Sequence, residues 1–262
     1  MPEGHKTHYI ARRHTQVLSG QALKVNSPQG RFRGDARKVS GVVLDNVSAV
    51  GKHLFYKFDN GRLIHIHLGR YGKFRQHTNP PPAPIGKVRV RMVSDQTTID
   101  LNGPTTCRVI DEITQAEVVA KLGPDPLAGG RKTVAWEKIR VSKKPIGALL
   151  LDQSVIAGIG NIFRAEILND AALSPWVRGC QMERTDFDRM WRSTSRLMKL
   201  GLKHGKIITI TAKEAGKPLS QIEGRDRFRV YGQPHCRICD YPVEVIQMAS
   251  RNLYWCPHCQ AT

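Results

Sequence analysis

The strongest chemical pattern in the chain is made of cysteines near its end. Cys236-x2-Cys239 is followed, after sixteen residues, by Cys256-x2-Cys259. Each knuckle presents two thiolates from a tight turn, and two knuckles complete a tetrahedral zinc shell. Four thiolates leave no position for water, so the spacing points to one structural zinc ion rather than a catalytic one. A segment this short cannot bury a core of its own, and metal binding supplies its folding energy. A redox dithiol is the competing reading, and the pairing of the two knuckles argues against it. At the other end stands Met1-Pro2-Glu3-Gly4. A small second residue lets the initiator methionine be removed, which exposes Pro2 as a secondary amine. An α-amino group has a pKa of about 7.7–8, so a useful fraction is neutral at physiological pH. A neutral secondary amine can attack a sugar C1′ and form an iminium, and Glu3 beside it can shuttle protons.

Three further features are weaker alone. In DQSVIAGIGNIFRAEIL (152–168), Gly158 and Gly160 make a close turn between helical segments. A helix N-terminus offers free N–H groups to phosphate, and Asn161 adds a side-chain donor. Lys52, in VGKHLFYKF, stands at the start of a hairpin. Arg251 lies between the knuckles, beside Asn252 and close to Tyr254 and Trp255, where a hairpin tip can grip a phosphate. Each also has a plain reading. Pro2 can simply open a helix, Lys52 and Arg251 can be solvated charges, and a Gly-rich turn between helices is commonly structural.

Holding these groups takes a chain of 262 residues, enough for two modest domains and an appendage. Residues 2–17 read as a helix with Ile10, Val17 and Leu18 on its apolar side and Gly20 as its stop. LFYKF (54–58), RLIHIHL (62–68) and KVRVRMV (87–93) alternate as strands do, with Asn60-Gly61 as a hairpin turn and 80–84 as a proline loop. The first half, to about residue 115, is thus mainly β with one leading helix. Residues 122–135 are rich in Gly and Pro and read as a connection. The pattern is helical from about 136 to 222, and 226–262 is short and strand-like.

Charge narrows the function classes. Lys and Arg number 41 against 22 Asp and Glu, a formal net charge of +19. A polyanion such as DNA or RNA is the natural partner of such an excess. No run approaches about 18 apolar residues, the length of a membrane span. The polar start lacks the apolar middle of a signal peptide. The expectation is a protein of the reducing bacterial cytosol, associated with the nucleoid, whose cysteines bind metal or stay free. Cys107 and Cys180, outside the knuckles, read as ordinary thiols.

Together these features resemble the formamidopyrimidine-DNA glycosylase/endonuclease VIII family, in order and over nearly the whole chain. Pro2-Glu3-Gly4 is similar to the family's catalytic N-terminus, and Lys52 falls at its β-hairpin lysine. LGPDPL (122–127) is similar to its interdomain segment and 152–168 to its helix–two-turn–helix. FRVYGQPHC (228–236) leads into the zinc hairpin as the family's does, and Arg251 matches within it. The resemblance implies a multidomain α+β fold. It would have an N-terminal helix plus β-sandwich (1–121), a linker (122–135), a helix–two-turn–helix DNA-binding domain (136–225) and a four-cysteine zinc hairpin (226–262). It implies a bifunctional DNA glycosylase/AP lyase that removes oxidised bases and cuts the strand by β,δ-elimination. Pro2 would be the Schiff-base nucleophile, Glu3 the acid/base partner and Lys52 a phosphate contact that assists lesion processing. Asn161 and Arg251 would hold the phosphates around a flipped nucleotide.

Asn161-Ile-Phe-Arg164-Ala-Glu166-Ile-Leu168 and the Pro-Glu-Gly-His start are more similar to the endonuclease VIII side, in an actinobacterial subgroup. That side implies oxidised pyrimidines as substrates. His5 and His8 read as helix-capping residues before DNA contacts. One departure bears on specificity. The formamidopyrimidine branch fills the gap left by a flipped base with an Arg and a Phe. Here the corresponding segment, Asn102-Gly-Pro-Thr-Thr-Cys107, offers neither. Arg70 and Tyr71, in HLGRYGKF, are the candidate wedge, and a weak wedge would admit single strands or bubbles. The expected partner is damaged DNA, met by a monomer without a membrane or small-molecule cofactor. The rival readings are a catalytically silent DNA binder of the same fold, an AP lyase without base excision, and an RNA-binding zinc-ribbon protein.

Overall fold

The computed structural model describes residues 2–261. Two compact units emerge, one built on Thr7–Lys121 with the residues before the first helix, the other on Leu122 to the C-terminus together with Gly4–Lys6.

α1 (Gly4–Leu18), which starts two residues later than the sequence predicts, belongs to the first unit from Thr7 onward. Eight strands follow: β1 (Ala22–Asn26), β2 (Val42–Val50), β3 (His53–Phe58), β4 (Leu63–His67), β5 (Lys73–Thr78), β6 (Val88–Val93), β7 (Thr97–Asn102) and β8 (Thr106–Ile110). One short helical turn, α2 (Arg33–Ala36), interrupts them, and α3 (Glu112–Ala120) closes the unit. All strand pairs are antiparallel, in the order β5-β7-β6-β1-β2-β3-β4-β8. β1 is the corner. Its first residues, Ala22 and Leu23, pair with β2, and its last, Lys24–Asn26, pair with β6. A strand that changes partners midway lets one ordered sheet close on itself as two layers. Both layers fill one core: Leu44, Leu54, Phe58, Ile64 and Ile66 from one side, Val90, Met92, Ile99 and Leu101 from the other, with Ile10, Ala11 and Leu18 of α1.

The three strands read from alternation are β3, β4 and β6. The others were hidden. A bulge between Leu44 and Asn46 breaks the alternation of β2. β5 is a polar edge strand, and β7 is buried on both faces, Asp100 included. Asp100 is tolerated there because Arg91 donates to it from both Nε and Nη2 at 2.7 Å. The leading helix is also not alone. α3 is held by an Asp111 side chain that accepts the Thr114 N–H at 2.8 Å, and it buries no residue, so no 3.6-residue stripe announces it.

The second unit contains α4 (Lys132–Ile139), α5 (Ile146–Leu149), α6 (Asn161–Asp170), α7 (Arg184–His204), α8 (Ala212–Ala215) and a hairpin of β9 (Glu244–Met248) and β10 (Arg251–Trp255). α4 begins inside the Gly/Pro-rich stretch, just past Gly130, where helix formers resume. The residues before it are fastened down: the Gly123 N–H donates to Gln153 O (2.8 Å), and the Ala157 N–H donates to Pro124 O (3.1 Å). α7 is amphipathic. It turns Phe187, Met190, Leu197 and Met198 into a core shared with Phe163, Ile167 and Leu168 of α6, and ends at Gly205 with φ +64°. Among the described residues no helix is long and apolar enough to cross a membrane.

Candidate active site and nucleic-acid interface

In the first unit, Pro2 is half-buried and Glu3 fully buried. Glu3 has extended backbone (φ −120°, ψ 176°) and is the last residue before α1, so the helix fixes the direction in which the chain's first residues leave it. The second turn of α1 then reaches the Lys52 segment. The buried Thr7 hydroxyl donates to Gly51 O at 2.6 Å. Val50 pairs with His53, so Gly51-Lys52 is a two-residue turn between β2 and β3, with Gly51 at φ +56°. Such turns demand positive φ and make glycine the fitting residue. Lys52 therefore sits at a rigid corner tied to the helix that carries Pro2 and Glu3.

Three imidazoles crowd the end of the sheet next to this corner. His53 Nδ1 and His65 Nε2 are 2.9 Å apart, and the His53 ring lies 5.0 Å from that of His67. Burial first, then His67, His65 and Lys52, lower the His53 pKa to about 4. Burial, Arg108 and His67 lower His65 to about 4, and burial and Lys52 lower His67. Burial and the neighbouring positive charges thus favour the neutral form of all three rings beside Lys52. Sequence analysis had given these histidines no role. Their alternation in HLFYKF and LIHIH was visible, but the cross-strand pairing that assembles them was not.

Arg70 and Tyr71 lie on the turn between β4 and β5 at the same end of the sheet. Tyr71 is 73% exposed, and the Arg70 guanidinium carbon lies 5.5 Å from its ring centroid. A large exposed aromatic stacked under a cation is suited to meeting bases. The 102–107 segment is a tight turn between β7 and β8, against which this turn packs: a Cβ on Gly103 would stand 3.3 Å from Tyr71 O. Cys107 lies on β8, where burial pushes its thiol up to about 12 and keeps it unreactive.

In the second unit the Gly-rich turn of 157–160 is stapled by Gln153. Its Oε1 accepts the Gly158 N–H (3.0 Å), and its Nε2 donates to Leu151 O (3.0 Å) and Ile159 O (2.9 Å). The Gly4 N–H donates to Gly158 O at 2.8 Å. A Cβ at Gly4 would stand 2.7 Å from Gly158 Cα, so the two backbones meet where only glycines fit. Asn161 is the first residue of α6. Its Nδ2 donates to Asn252 O (2.9 Å), and its Oδ1 accepts from Arg164 Nη2 (2.6 Å). Arg164, fully buried, also donates to Met248 O (3.0 Å) and Asn252 O (3.2 Å). These bonds hold both sides of the β9–β10 turn, where Ala249 and Ser250 have φ of +53° and +58°. The exposed Arg251 follows directly. The structure therefore brings Asn161 close to the Arg251 turn through Arg164, which the sequence offered only as a mark of the endonuclease VIII side and without a role of its own.

Glu166, two residues further, was likewise given no role. Its buried carboxylate accepts the backbone N–H groups of Arg229 (2.8 Å), Val230 (2.9 Å) and Tyr231 (2.7 Å), and the Thr209 hydroxyl. It anchors the segment that leads into the cysteine hairpin. Arg229 is held on its other side by Asp170 and Glu214. Burial opposes ionisation of Glu214, but hydrogen bonds from Arg229 and Thr211 outweigh it and hold the carboxyl down at about 2.

The four cysteine sulfurs all lie within 4.8 Å of one another. Sγ separations are 3.9 Å for Cys236–Cys259, 3.5 Å for Cys239–Cys256 and 3.3 Å for Cys239–Cys259. Metal–sulfur bonds of about 2.3 Å give a tetrahedron with edges of about 3.8 Å, so the set can hold a metal ion. Behind it, Gln260 Oε1 accepts the Cys256 N–H (2.9 Å), and its Nε2 donates to Leu173 O (3.0 Å). These bonds tie the cluster to the helical region.

Comparison with known proteins gives the family. Residues 1–110 match the family model "Formamidopyrimidine-DNA glycosylase N-terminal domain", and residues 122–213 match "Formamidopyrimidine-DNA glycosylase H2TH domain". "Endonuclease 8 1" of Mycobacterium tuberculosis is 43% identical over 99% of this chain and 100% of its own. "Formamidopyrimidine-DNA glycosylase" of Thermus thermophilus is 27% identical over 99% of this chain and 98% of its own. Among solved structures, the Lactococcus lactis Fpg in complex with abasic-site DNA superposes with a TM-score of 0.84. That match has 22% identity and covers 99% of this chain and 100% of the other, a likeness of fold.

Proposed function

The chain belongs to the formamidopyrimidine-DNA glycosylase/endonuclease VIII family, DNA glycosylases with AP lyase activity in DNA repair, and from that premise we propose how its own residues carry the reaction. With Met1 removed, the Pro2 nitrogen attacks C1′ of a damaged nucleotide. The C1′–N bond to the base breaks, and the base departs with its electron pair and takes up a proton. Glu3 supplies the proton that opens the sugar at its ring oxygen. The resulting iminium acidifies the 2′ protons. Loss of one expels the 3′ phosphate, a second elimination expels the 5′ phosphate, and water hydrolyses the imine to return the amine. The substrate is DNA bearing oxidised bases, pyrimidines first, in keeping with the 43% identity to a protein named endonuclease 8.

Lys52 binds phosphate beside the reacting sugar. Asn161 and Arg251 hold the phosphates around the flipped nucleotide, and Arg70 and Tyr71 enter the gap it leaves. The four cysteines hold one zinc ion, which keeps the Arg251 turn folded.

The observation that carries this reading is a fully buried Glu3 directly behind a half-buried Pro2, on a helix whose next turn holds the Lys52 corner. Borohydride trapping on an abasic-site oligonucleotide tests it. The expected result is a covalent adduct that disappears in Pro2→Gly and in N-terminally blocked protein. No adduct from protein shown by mass to lack Met1 and to bind DNA would refute it.

A further inference from the structure

Three consecutive residues directly behind Pro2 and Glu3, Gly4 to Lys6, belong to the second unit. Each is fastened there in its own way. The Gly4 N–H donates to Gly158 O at 2.8 Å. The Lys6 ammonium donates to Gly205 O at 3.2 Å, at the C-terminal end of α7, where helix carbonyls favour a cation. Between these two stands His5. The sequence offered it as a helix-capping residue, yet it is 4% exposed, and its ring meets that of Phe163 edge-on at 5.2 Å. Phe163, on α6, is fully buried. The His5 ring also faces Gly201, a buried residue of α7. A Cβ at Gly201 would stand 3.1 Å from His5 Cγ and 3.2 Å from its Cβ and Cδ2, closer than ordinary van der Waals contact. Glycine inside a helix is destabilising relative to alanine. The backbone of Gly201 is helical, without the positive φ of Gly205, so its conformation does not call for glycine. What the missing Cβ provides is a notch in α7 that seats the imidazole.

We propose that His5 is a positioning residue for the reacting amine: seated in the Gly201 notch against Phe163, its ring fixes the first turn of α1 and with it the direction in which Pro2 and Glu3 leave the helix. The inference rests on the reading of Pro2 as the nucleophile. An amine that must approach C1′ along one line is sensitive to a displacement well below 1 Å, whereas phosphate contacts made elsewhere on the chain are not affected by it. His5 therefore governs the rate of iminium formation and leaves DNA affinity alone.

The test compares two measurements on the parent, His5→Ala, Gly201→Ala and the double variant. One is single-turnover borohydride trapping of an abasic-site duplex at saturating protein, with N-terminally blocked protein as the control. The other is the Kd for a duplex carrying a tetrahydrofuran abasic analogue. His5→Ala is expected to trap about tenfold more slowly, and Gly201→Ala, whose methyl presses on the ring, about threefold, both with Kd within about twofold of the parent. In the double variant the methyl no longer meets a ring, so it is expected to trap no more slowly than His5→Ala alone. Gly201→Ala also guards against misfolding, since it removes no contact and adds a better helix former; its urea unfolding, followed by tryptophan fluorescence, is expected to stay cooperative. Unchanged trapping in His5→Ala, losses that multiply in the double variant, or a loss of affinity as large as the loss of rate would overturn the proposal. If the parent gives no adduct, or the blocked protein still gives one, the Pro2 reading fails and this proposal falls with it.

Discussion

Glu166 offers the sharpest test of how the cysteine hairpin is anchored. Its fully buried carboxylate is the acceptor for three successive backbone N–H groups, Arg229 to Tyr231, at 2.7–2.9 Å. Glu166→Gln preserves shape but replaces one oxygen by a donor. If the amide nitrogen takes the Oε2 place, it faces the Arg229 N–H, while the Thr209 hydroxyl can turn to accept; in the Oε1 place it faces two N–H groups. At least one buried N–H is therefore orphaned, at about 1–3 kcal/mol, and the remaining bonds lose their charge assistance. We expect a loss of about 3 kcal/mol for Glu166→Gln and about 5 kcal/mol for Glu166→Ala, a large part of the roughly 5–15 kcal/mol that stabilises a domain. All four tryptophans, Trp136, Trp176, Trp191 and Trp255, lie in the second unit, so urea unfolding followed by tryptophan fluorescence reports that unit alone. Hydrogen exchange should show the Arg229–Tyr231 amides losing protection. A Glu166→Gln protein within about 0.5 kcal/mol of the parent would show that the carboxylate is no anchor.

Two other outcomes follow from the same coordinates. His53 and His65 are held at about 4, below the ordinary 6.5, so the unfolded chain takes up protons that the fold refuses. The stability they contribute is complete above about pH 6.5 and drains as pH falls toward 4. Unfolding of the parent against His53→Gln across that range should diverge in slope, and parallel curves would refute the assignment. With the four cysteines holding zinc as proposed, a chelator should free four thiols, lower stability and weaken DNA binding, all restored by adding zinc back. Intact binding after verified metal loss would separate the cysteine cluster from the Arg251 turn.

Much was legible in the sequence because it is local. Two CxxC knuckles need only their spacing to form a metal shell, and in the structure their sulfurs do converge. Alternation wrote β3, β4 and β6, and glycine punctuated the turns at Gly61 and Gly20, both at positive φ. The net charge alone pointed to a polyanion. What tertiary structure decided is everything that depends on which distant segments meet. β2 and β7 were masked by a bulge and by a buried Asp100, whose partner Arg91 is supplied by strand pairing. Arg164 and Glu166 look like ordinary helix charges in a row of letters. Only the folded chain aims one at the backbone of the β9–β10 turn and the other at the three N–H groups before the hairpin. The histidines are the plainest case. His53, His65 and His67 alternate in two separate segments, and a sequence cannot state the register that sets His53 against His67. That register favours their neutral forms beside Lys52 and puts the last of them under the Arg70–Tyr71 turn. Local propensity and spacing act over a few residues, whereas burial, pairing and desolvation are properties of neighbours brought together from far along the chain.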